Sequence, residues 1–567
     1  MTTMIVDALK VSINHPENYY YDRLHREKYR DENQSHIEHC ERLAKNISSD
    51  DSHSNRLYGA LVSRRFLPAG RLQAALGATE REVSPFNCAV SQTVEDSMES
   101  IMDSVSKAAK ILRLGTGIGF NFSHLRPKGA EIRKLKTQSS GPVSFAKIHD
   151  VMASTIASSG HRRGAMMGIM NVDHPDIEEF VDAKLVPGAF RQFNFSVGVT
   201  DKFMQALELD QEWPLHFGGQ VYRTVSAKYL WDKIIRNAYN SAEPGVIFID
   251  RLNQNNNLWY CESIEATNPC AEQPLPPNGL CLLGSFNLIA YVDKEKKEID
   301  FDTMRKDIFA VVEGYDNIFD DAVYAIDEHK QEAISKRRMG LGFTSIANGI
   351  ELLCARANYG EPEFCSILKS VASYLCHTAY EASAKLAARR GSFPLFDKEK
   401  YLGGKFIKSL PDTIRKLIAE HGIRNSHLIS YAPCGTISQT AGNVSSGVEP
   451  IFYHSVNRRV HMKDGLENVT LTDYNYRVHG FKGKTLNECS VDDHMAVAKA
   501  IQPYTDSAIS KTVNVAASCS YEEYEKIYVD AYETGLKGIT VFRPTDLRGS
   551  VISASAETSC GVSGECK

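Results

Sequence analysis

TNPCAEQPLPPNGLCLLGSFNL, residues Thr267 to Leu288, is the stretch on which the reading of this chain turns. Asn268, Cys270 and Glu272 stand on alternate positions, so an extended backbone would aim all three side chains at one pocket. A thiol two residues from a carboxylate is compatible with accident when taken alone. The flanking prolines and a second thiol, Cys281, shift the reading towards a site.

Working outward, the chain is 567 residues long, 43% hydrophobic, with 65 basic against 70 acidic side chains. It is long enough for a large core and carries no charge bias towards nucleic acid. The N-terminus MTTMIVDALK lacks a basic region followed by an apolar run, and no stretch approaches the roughly 18 apolar residues of a membrane helix. The expectation is a cytoplasmic protein that touches no membrane. Thirteen cysteines, an odd number without dense regular spacing, argue for reduced thiols rather than a secreted disulfide scaffold. Cys354, Cys365 and Cys376 lie beside Leu and Ala at helical spacing and read as small core hydrophobes.

The first 80 residues or so look helical, from Tyr19-Tyr20-Tyr21 through HIEHCERLAKNI to LYGALVSRRFLPAGR, with Pro68 and Gly70 ending the run. The organisation expected is a helical domain over 1–80, a main domain over 81–545 and a flexible tail over 546–567. In the main domain, amphipathic helices alternate with short β-rich runs, FNFSVGV, GVIFID, HLISYA and GITVF, which is the α/β pattern. Met98, Ile101, Met102, Val105, Ala109 and Leu112 make one apolar stripe at helical spacing. After Pro544 the chain turns small and polar, with no aromatic anchor.

NPCAEQPLPPNGLC closely resembles the finger-loop motif of ribonucleotide reductases, and other segments agree with that family in order. FNCAV, with Cys88, resembles its first redox cysteine. RLGTGIGFNFSHLRPKGAEIR, SGHRRGAMMGIMNVDHPDIEEFV and RRMGLGFTSIANG resemble its barrel segments, and APCGTIS and SSGVEPIF its substrate-phosphate region. The resemblance covers roughly Phe66 to Pro544. It implies an α/β fold: a ten-stranded α/β barrel with a central finger loop carrying the thiyl cysteine, preceded here by the small helical domain.

The implied chemistry removes a ribose 2′-hydroxyl as water. Cys270, as a thiyl radical, takes the 3′ hydrogen, Glu272 accepts the 3′-hydroxyl proton as general base, and Asn268 positions the sugar. Cys88 and Cys281 supply two electrons and become a disulfide, which needs a mobile dithiol for its reduction. Cys560 and Cys566 on the tail match that need, with an external thioredoxin-like dithiol beyond them. Their spacing is one residue longer than in the family's common tail. A zinc clip would need four Cys or His ligands, and neither His nor a second Cys pair lies near, so no metal site is expected.

For the substrate phosphates the expectation is Pro433, Cys434, Gly435, Thr436, Ile437 and Ser438, a Gly-containing turn at a helix start. Gly115, Gly117 and Gly119 fail the dinucleotide pattern because Phe120 stands where its third glycine belongs, and close packing is the better reading. The family selects its base through a deoxynucleotide or ATP effector at a homodimer interface. Here Asp96 and Ser97 open the striped helix, and Arg162 and Arg163 lie on a Gly-rich basic loop suited to effector contact. An N-terminal module sensing ATP is not expected, since few residues precede FLPAGR.

Three reductase types differ in radical source. The type with a separate metal-radical subunit imports the radical through adjacent tyrosines near the end of the catalytic chain, and this chain has Val541-Phe542 there. The glycyl-radical type has an RVxGY motif that Arg477-Val478-His479-Gly480-Phe481 resembles, but Gly480 lies too early and Glu272 is foreign to that type. The adenosylcobalamin-dependent type needs no relay and shares the NPC-E-QPLPP wording, so adenosylcobalamin is the expected cofactor. The alternatives kept are the large subunit of the metal-radical type and a non-catalytic nucleotide-binding regulator.

Overall fold

The computed structural model describes residues 16–157, 165–462 and 465–545. Ten strands form its main sheet. In chain order they are β1 (Phe66–Pro68), β2 (Cys88–Val90), β3 (Gly117–Asn121), β4 (Met166–Asn171) and β5 (Phe193–Val199), then β6 (Gly245–Phe248), β7 (Leu280–Asn287), β8 (Met339–Thr344), β9 (Thr512–Asn514) and β10 (Gly538–Phe542). FNFSVGV, GVIF and GITVF are thus strands as expected.

The pairing closes a ring. β2 through β6 are successive parallel neighbours, with Cys88 beside Gly117, Ile118 beside Met166, Met166 beside Phe193 and Val246 beside Val197. β7 pairs parallel with β8, and β9 with β10. Residues 427–432, the predicted HLISYA run, bridge β8 to the approach of β9 through Leu341–Ile429 and Tyr431–Ile509, both parallel. Each half is therefore parallel throughout. The halves meet antiparallel at β2–β7, where Cys281 faces Cys88, and at β6–β10. The HLISYA segment makes bridges rather than a regular ladder because some of its amides are taken by side chains, described below.

Alternation decides what fills the ring. Phe193, Phe195 and Val197 of β5 join the core packed against the outer helices, so Asn194, Ser196 and Gly198 face the other way, into the barrel. The same period turns Gly117 and Gly119 of β3 and Gly340 and Gly342 of β8 inward. Gly117, Gly119 and Gly340 make room for the finger, while Gly342 lets the backbone of Ser430 approach β8. A Cβ on Gly119 would lie 1.8 Å from the carbonyl oxygen of Thr267, and one on Gly117 would lie 3.0 Å from Pro269 Cγ. The glycine run read as close packing is a channel for the finger loop.

Outside the ring, α1 (Pro16–Tyr29), α2 (His36–Ile47) and α3 (Asp51–Val62) cover one flank. Ser35 and Glu38 form a capping box on α2, and Asp50 caps α3. Within the stretch expected to be helical, β1 pairs antiparallel with β7 (Phe66 beside Phe286) and so belongs to the main sheet. Cys365 and Cys376 are buried on the 29-residue helix Pro362–Arg390, as fillers should be. Cys354 instead ends the preceding helix, half-buried, with its thiol on Glu363 at 3.3 Å.

The striped helix, Met98–Arg113, corrects one expectation. Its buried residues are Ile101, Ser104, Val105, Ala108 and Ile111, whereas Met98 and Met102 are 57% and 46% exposed. The small Ser104 and Ala108 let the helix lie close to its neighbour, with Ser104 Oγ 3.0 Å from His149 Nε2. That contact rotates the methionines outward. Among the described residues no helix is long and apolar enough to cross a membrane.

Candidate active site

A two-residue hairpin pairing, Ala266–Thr267 with Pro274–Leu275, carries residues 268–273 into the ring as a tight loop. Its base is fixed to β3 by Asn121 Nδ2, which donates to the carbonyl of Glu265 at 2.9 Å. The loop is not the extended segment the sequence suggested. The Ala271 amide donates to the Asn268 carbonyl at 3.0 Å, and Ala271 takes a left-handed φ of 64°. The turn is forced because the Asn268 amide and the Gln273 carbonyl already close the loop at 3.1 Å.

The turn nonetheless brings the expected residues together. Asn268 Nδ2 donates to Cys88 Sγ at 3.0 Å, and its Oδ1 accepts from the Gln273 amide at 2.9 Å. The Cys88 thiol faces Glu272 Oε1 at 3.6 Å. Cys281 is the cross-strand partner of Cys88, which in an antiparallel pair sets the two side chains on one face. Cys270 stands at the tip, exposed, while Cys88, Cys281, Asn268 and Glu272 are buried. Among the described residues, Cys88, Cys270 and Cys281 form no disulfide.

Burial dominates the electrostatics. It pushes both the Cys88 and the Cys281 thiol well above the usual range, with the Glu272 charge adding to the effect at Cys88. Burial also raises the Glu272 carboxyl. Its Oε2 is buried with no hydrogen-bond partner among the described residues, an acceptor left open beside the thiols. The pocket therefore holds two thiols kept neutral by burial beside a carboxylate whose affinity for a proton is raised.

Sequence reasoning missed the groups that brace the tip. Asn194 Nδ2 donates to the Pro269 carbonyl at 2.9 Å from the β5 wall. From the opposite wall, Ser430 Oγ and the Ala508 amide donate to the Glu272 carbonyl at 2.9 and 3.0 Å. A polar residue at the inward period of FNFSVGV was a readable signal for Asn194. Nothing local marks Ser430 or Ala508.

The other expected sites are less assembled. Pro433 is exposed, Gly435 and Thr436 are half-buried, and Cys434, Ile437 and Ser438 are buried. Cys434 caps the helix Gly435–Thr440 and lies 3.1 Å from Ser285 Oγ. Ser438 spends its hydroxyl hydrogen on the Gly435 carbonyl at 2.9 Å, leaving Thr436 as the accessible hydroxyl. Asp96 is ion-paired to Arg126 at 2.7 Å, and Ser97 caps its helix by accepting from the Ser100 amide. Arg162, Arg163, Cys560 and Cys566 lie outside the described residues. Among the described residues no group of His, Cys, Asp or Glu is arranged to hold a metal ion.

A ring of two antiparallel-joined parallel halves, with a cysteine-tipped finger beside a facing thiol pair, defines a distinct class of α/β barrel. The chain belongs to the ribonucleotide reductase family: the family profile "Ribonucleotide reductase, barrel domain" matches residues 86–542. It is similar to the vitamin B12-dependent ribonucleoside-diphosphate reductase of Thermoplasma acidophilum, 34% identical over 500 residues that cover 82% of this chain and 62% of that one. The protein of the same name from Mycobacterium tuberculosis is 33% identical over 497 residues, 82% of this chain and 68% of the relative. The ribonucleoside-diphosphate reductase large subunit of Caenorhabditis elegans is 26% identical over 522 residues, 80% and 66%. The chain thus spans about three fifths to two thirds of the length of these curated relatives.

Proposed function

We propose that this chain reduces ribonucleotides to 2′-deoxyribonucleotides as an adenosylcobalamin-dependent ribonucleotide reductase. The observation that carries the reading is the exposed Cys270 on a loop whose Asn268 and Glu272 both reach Cys88, with Cys281 directly across the sheet. Three thiols and a carboxyl at one point are what a radical abstraction coupled to a two-electron reduction requires.

In this mechanism Cys270, as a thiyl radical, takes the 3′ hydrogen of the ribose. Glu272 accepts the 3′-hydroxyl proton, and Asn268 bonds the sugar. The 2′-hydroxyl leaves as water, Cys88 and Cys281 give up two hydrogens and join as a disulfide, and the 3′ hydrogen returns to restore the Cys270 thiyl. The buried, neutral state of both thiols suits them as hydrogen donors and keeps them from reacting as thiolates between turnovers.

Adenosylcobalamin, when bound, supplies the one-electron oxidant for Cys270. The fit is supported by the exposure of Cys270 and by the polar inward wall carrying Asn194 and Thr540, both exposed, which would hold the group. The alternative, a radical delivered from a separate subunit, lacks hydroxyls where it needs them. Val541 and Phe542 sit on β10, and the Val541 side chain is fully buried against the outer helix. Gly480 is an ordinary left-handed C-cap of the short helix Tyr474–His479, which leaves the glycyl reading without support.

Thr436 and the amides of the Gly435–Thr440 helix start are proposed to hold substrate phosphate. Asp96, Ser97, Arg162 and Arg163 are proposed to meet a deoxynucleotide or ATP effector, and residues 546–567, through Cys560 and Cys566, to carry electrons from a thioredoxin-like dithiol. The outward Met98 and Met102, with Ile148 and Val151 of the adjacent helix at 37% and 64% exposure, support a homodimer through this face. The protein is proposed to work in the reducing cytoplasm.

The test is ribonucleotide reduction by the purified chain, anaerobically with a dithiol, with and without adenosylcobalamin. Turnover only with the cofactor is the expected result, and Cys270→Ala abolishes it while leaving nucleotide binding intact. Turnover that needs an added metal-radical protein instead would transfer the chain to the other type.

A further inference from the structure

The seam that closes the ring, between residues 427–431 and 505–510, lacks a regular ladder. The amides of Leu428 and Ile429 donate to the Asp506 carboxylate, at 2.7 Å to Oδ2 and 3.0 Å to Oδ1. The Tyr380 hydroxyl adds a bond to Oδ2 at 2.7 Å and the Ser507 amide one to Oδ1 at 2.6 Å. Lys537, at the entry to β10, donates to the carbonyls of Thr505, Asp506 and Ser507 at 3.0, 2.7 and 2.5 Å. Asp506 and Lys537 are 3% and 5% exposed.

Such a pair needs a reason, because burying two charges contributes little net stability against an apolar filling of the same volume. The reason lies in donor counting. Four N–H and O–H groups converge on one point, and among side chains only a carboxylate offers acceptors for all four and donates nothing. Three carbonyls converge on another, and an ammonium has three hydrogens to give. Neither residue hydrogen-bonds Cys88 or Cys281, though the Asp506 charge adds to the raising of the Cys281 thiol. One residue further along each strand, however, Ser430 follows Ile429 and Ala508 follows Ser507. Those are the two donors that grip the Glu272 carbonyl.

We infer that Asp506 and Lys537 are positioning residues for Glu272, fixing the seam whose two donors hold the finger tip against Cys88. The inference rests on the proposed reductase reading for its effect on turnover, and on geometry alone for its effect on the seam. A displacement of about 1 Å at a reacting group costs about a hundredfold in rate, so loosening the seam acts on turnover through the position of Glu272.

The test uses Asp506→Asn, which is isosteric but turns an amide NH2 towards N–H donors, and Lys537→Met, with Tyr374→Phe as a control. Tyr374 bonds the Phe301 carbonyl at 2.8 Å in the outer helices. Hydrogen exchange at the Ala508 amide and the rate of Cys270 alkylation, resolved by peptide mass spectrometry, are read first. Reductase kinetics follow on the same samples. In both seam variants Ala508 exchange and Cys270 alkylation each change at least tenfold, and kcat falls at least tenfold with KM within twofold. In the control none of them changes. Ala508 exchange like the parent's in folded Asp506→Asn and Lys537→Met overturns the inference, as does a kcat loss matched by the control at equal melting temperature. If the parent itself shows no reductase turnover, the functional reading fails while the exchange and alkylation results still decide the seam.

Discussion

Replacing Gly119 by Ala puts one methyl group where the backbone of the finger already runs. The new Cβ would lie 1.8 Å from the Thr267 carbonyl oxygen, and real Cβ contacts essentially never fall below 3.0 Å. Something must retreat by about 1 Å, and both partners are main chain: β3 is held between β2 and β4, and the finger is held at its base by Asn121. Overpacking of this kind costs about 1–3 kcal/mol of stability. Because the loop is the more weakly held partner, most of the shift goes to the finger at Thr267, next to Asn268 and three residues from Cys270. The expected loss in kcat is about a hundredfold. Gly117→Ala, whose contact is 3.0 Å to the Pro269 ring, is milder. Gly59→Ala, facing only the end of Arg65 at 3.8 Å on an outer helix, is neutral or slightly stabilising. Turnover and the alkylation rate of Cys270 are measured on all three. Parental kcat and alkylation in Gly119→Ala would refute the claim that β3 is the channel through which the finger is placed.

Other expectations follow from the same geometry. Glu272 has its carboxyl raised by burial, so the acid limb of kcat lies above the ordinary glutamate value of about 4.3. In stability its contribution is full below that value and is lost as pH rises through the raised one, so Glu272→Gln removes both the limb and that slope; an unchanged limb in a pH–rate profile would exclude it as the base. Ala271→Gly relieves a left-handed alanine, with an expected gain of about 1 kcal/mol in denaturant unfolding and turnover within threefold, the backbone path being set by the Asn268 and Gln273 bonds. Buried His25 and His39 and half-buried His36 pack edge to face, with centroids 5.3 and 4.9 Å from His25, and desolvation lowers all three, His39 to about 3. Their contribution is present above about 6.5 and lost as pH falls through the lowered values, for His39 about 3; an acid titration by circular dichroism should show the N-terminal helices loosening below about 6.5, and a His39→Gln variant with the same profile would clear His39 of the effect.

The parts of this site that could be read from the sequence are those whose chemistry is local. Cys270, Glu272, Asn268 and Cys281 share one short segment, and Cys88 lies in FNCAV, so the resemblance could name all five as candidates, and the structure sets Asn268, Glu272 and Cys281 against Cys88. What could not be read is whatever depends on the closure of the ring. HLISYA looks like an ordinary strand, yet its Leu428 and Ile429 amides go to Asp506, nearly eighty residues away. Ser430 and Ala508 acquire meaning only once that seam exists. The extended reading of NPCAE failed for the same reason, since the left-handed Ala271 answers to a loop closed by tertiary bonds. The stripe on Met98–Arg113 failed because periodicity ranks Met above Ser, while close packing against His149 favours the smaller side chain.

The joining of two parallel halves explains why the thiol pair sits where it does. Within either half, neighbouring strands run parallel and are linked by long crossovers, so facing residues come from repeating units of one sheet. The antiparallel junction of β2 with β7 brings the first strand of one half against the first strand of the other. It sets Cys88 and Cys281 directly opposite, on the face that looks into the ring. The finger that ends at Leu275 runs within five residues into β7, so the strand carrying Cys281 also anchors the loop carrying Cys270. Any movement that shifts the finger along the ring axis must therefore pull on the junction that aligns the thiols. That coupling is why the braces from Asn194, Ser430 and Ala508 converge on the tip from the walls away from β2 and β7: the near side is fixed by the chain itself, and only the far side needs holding.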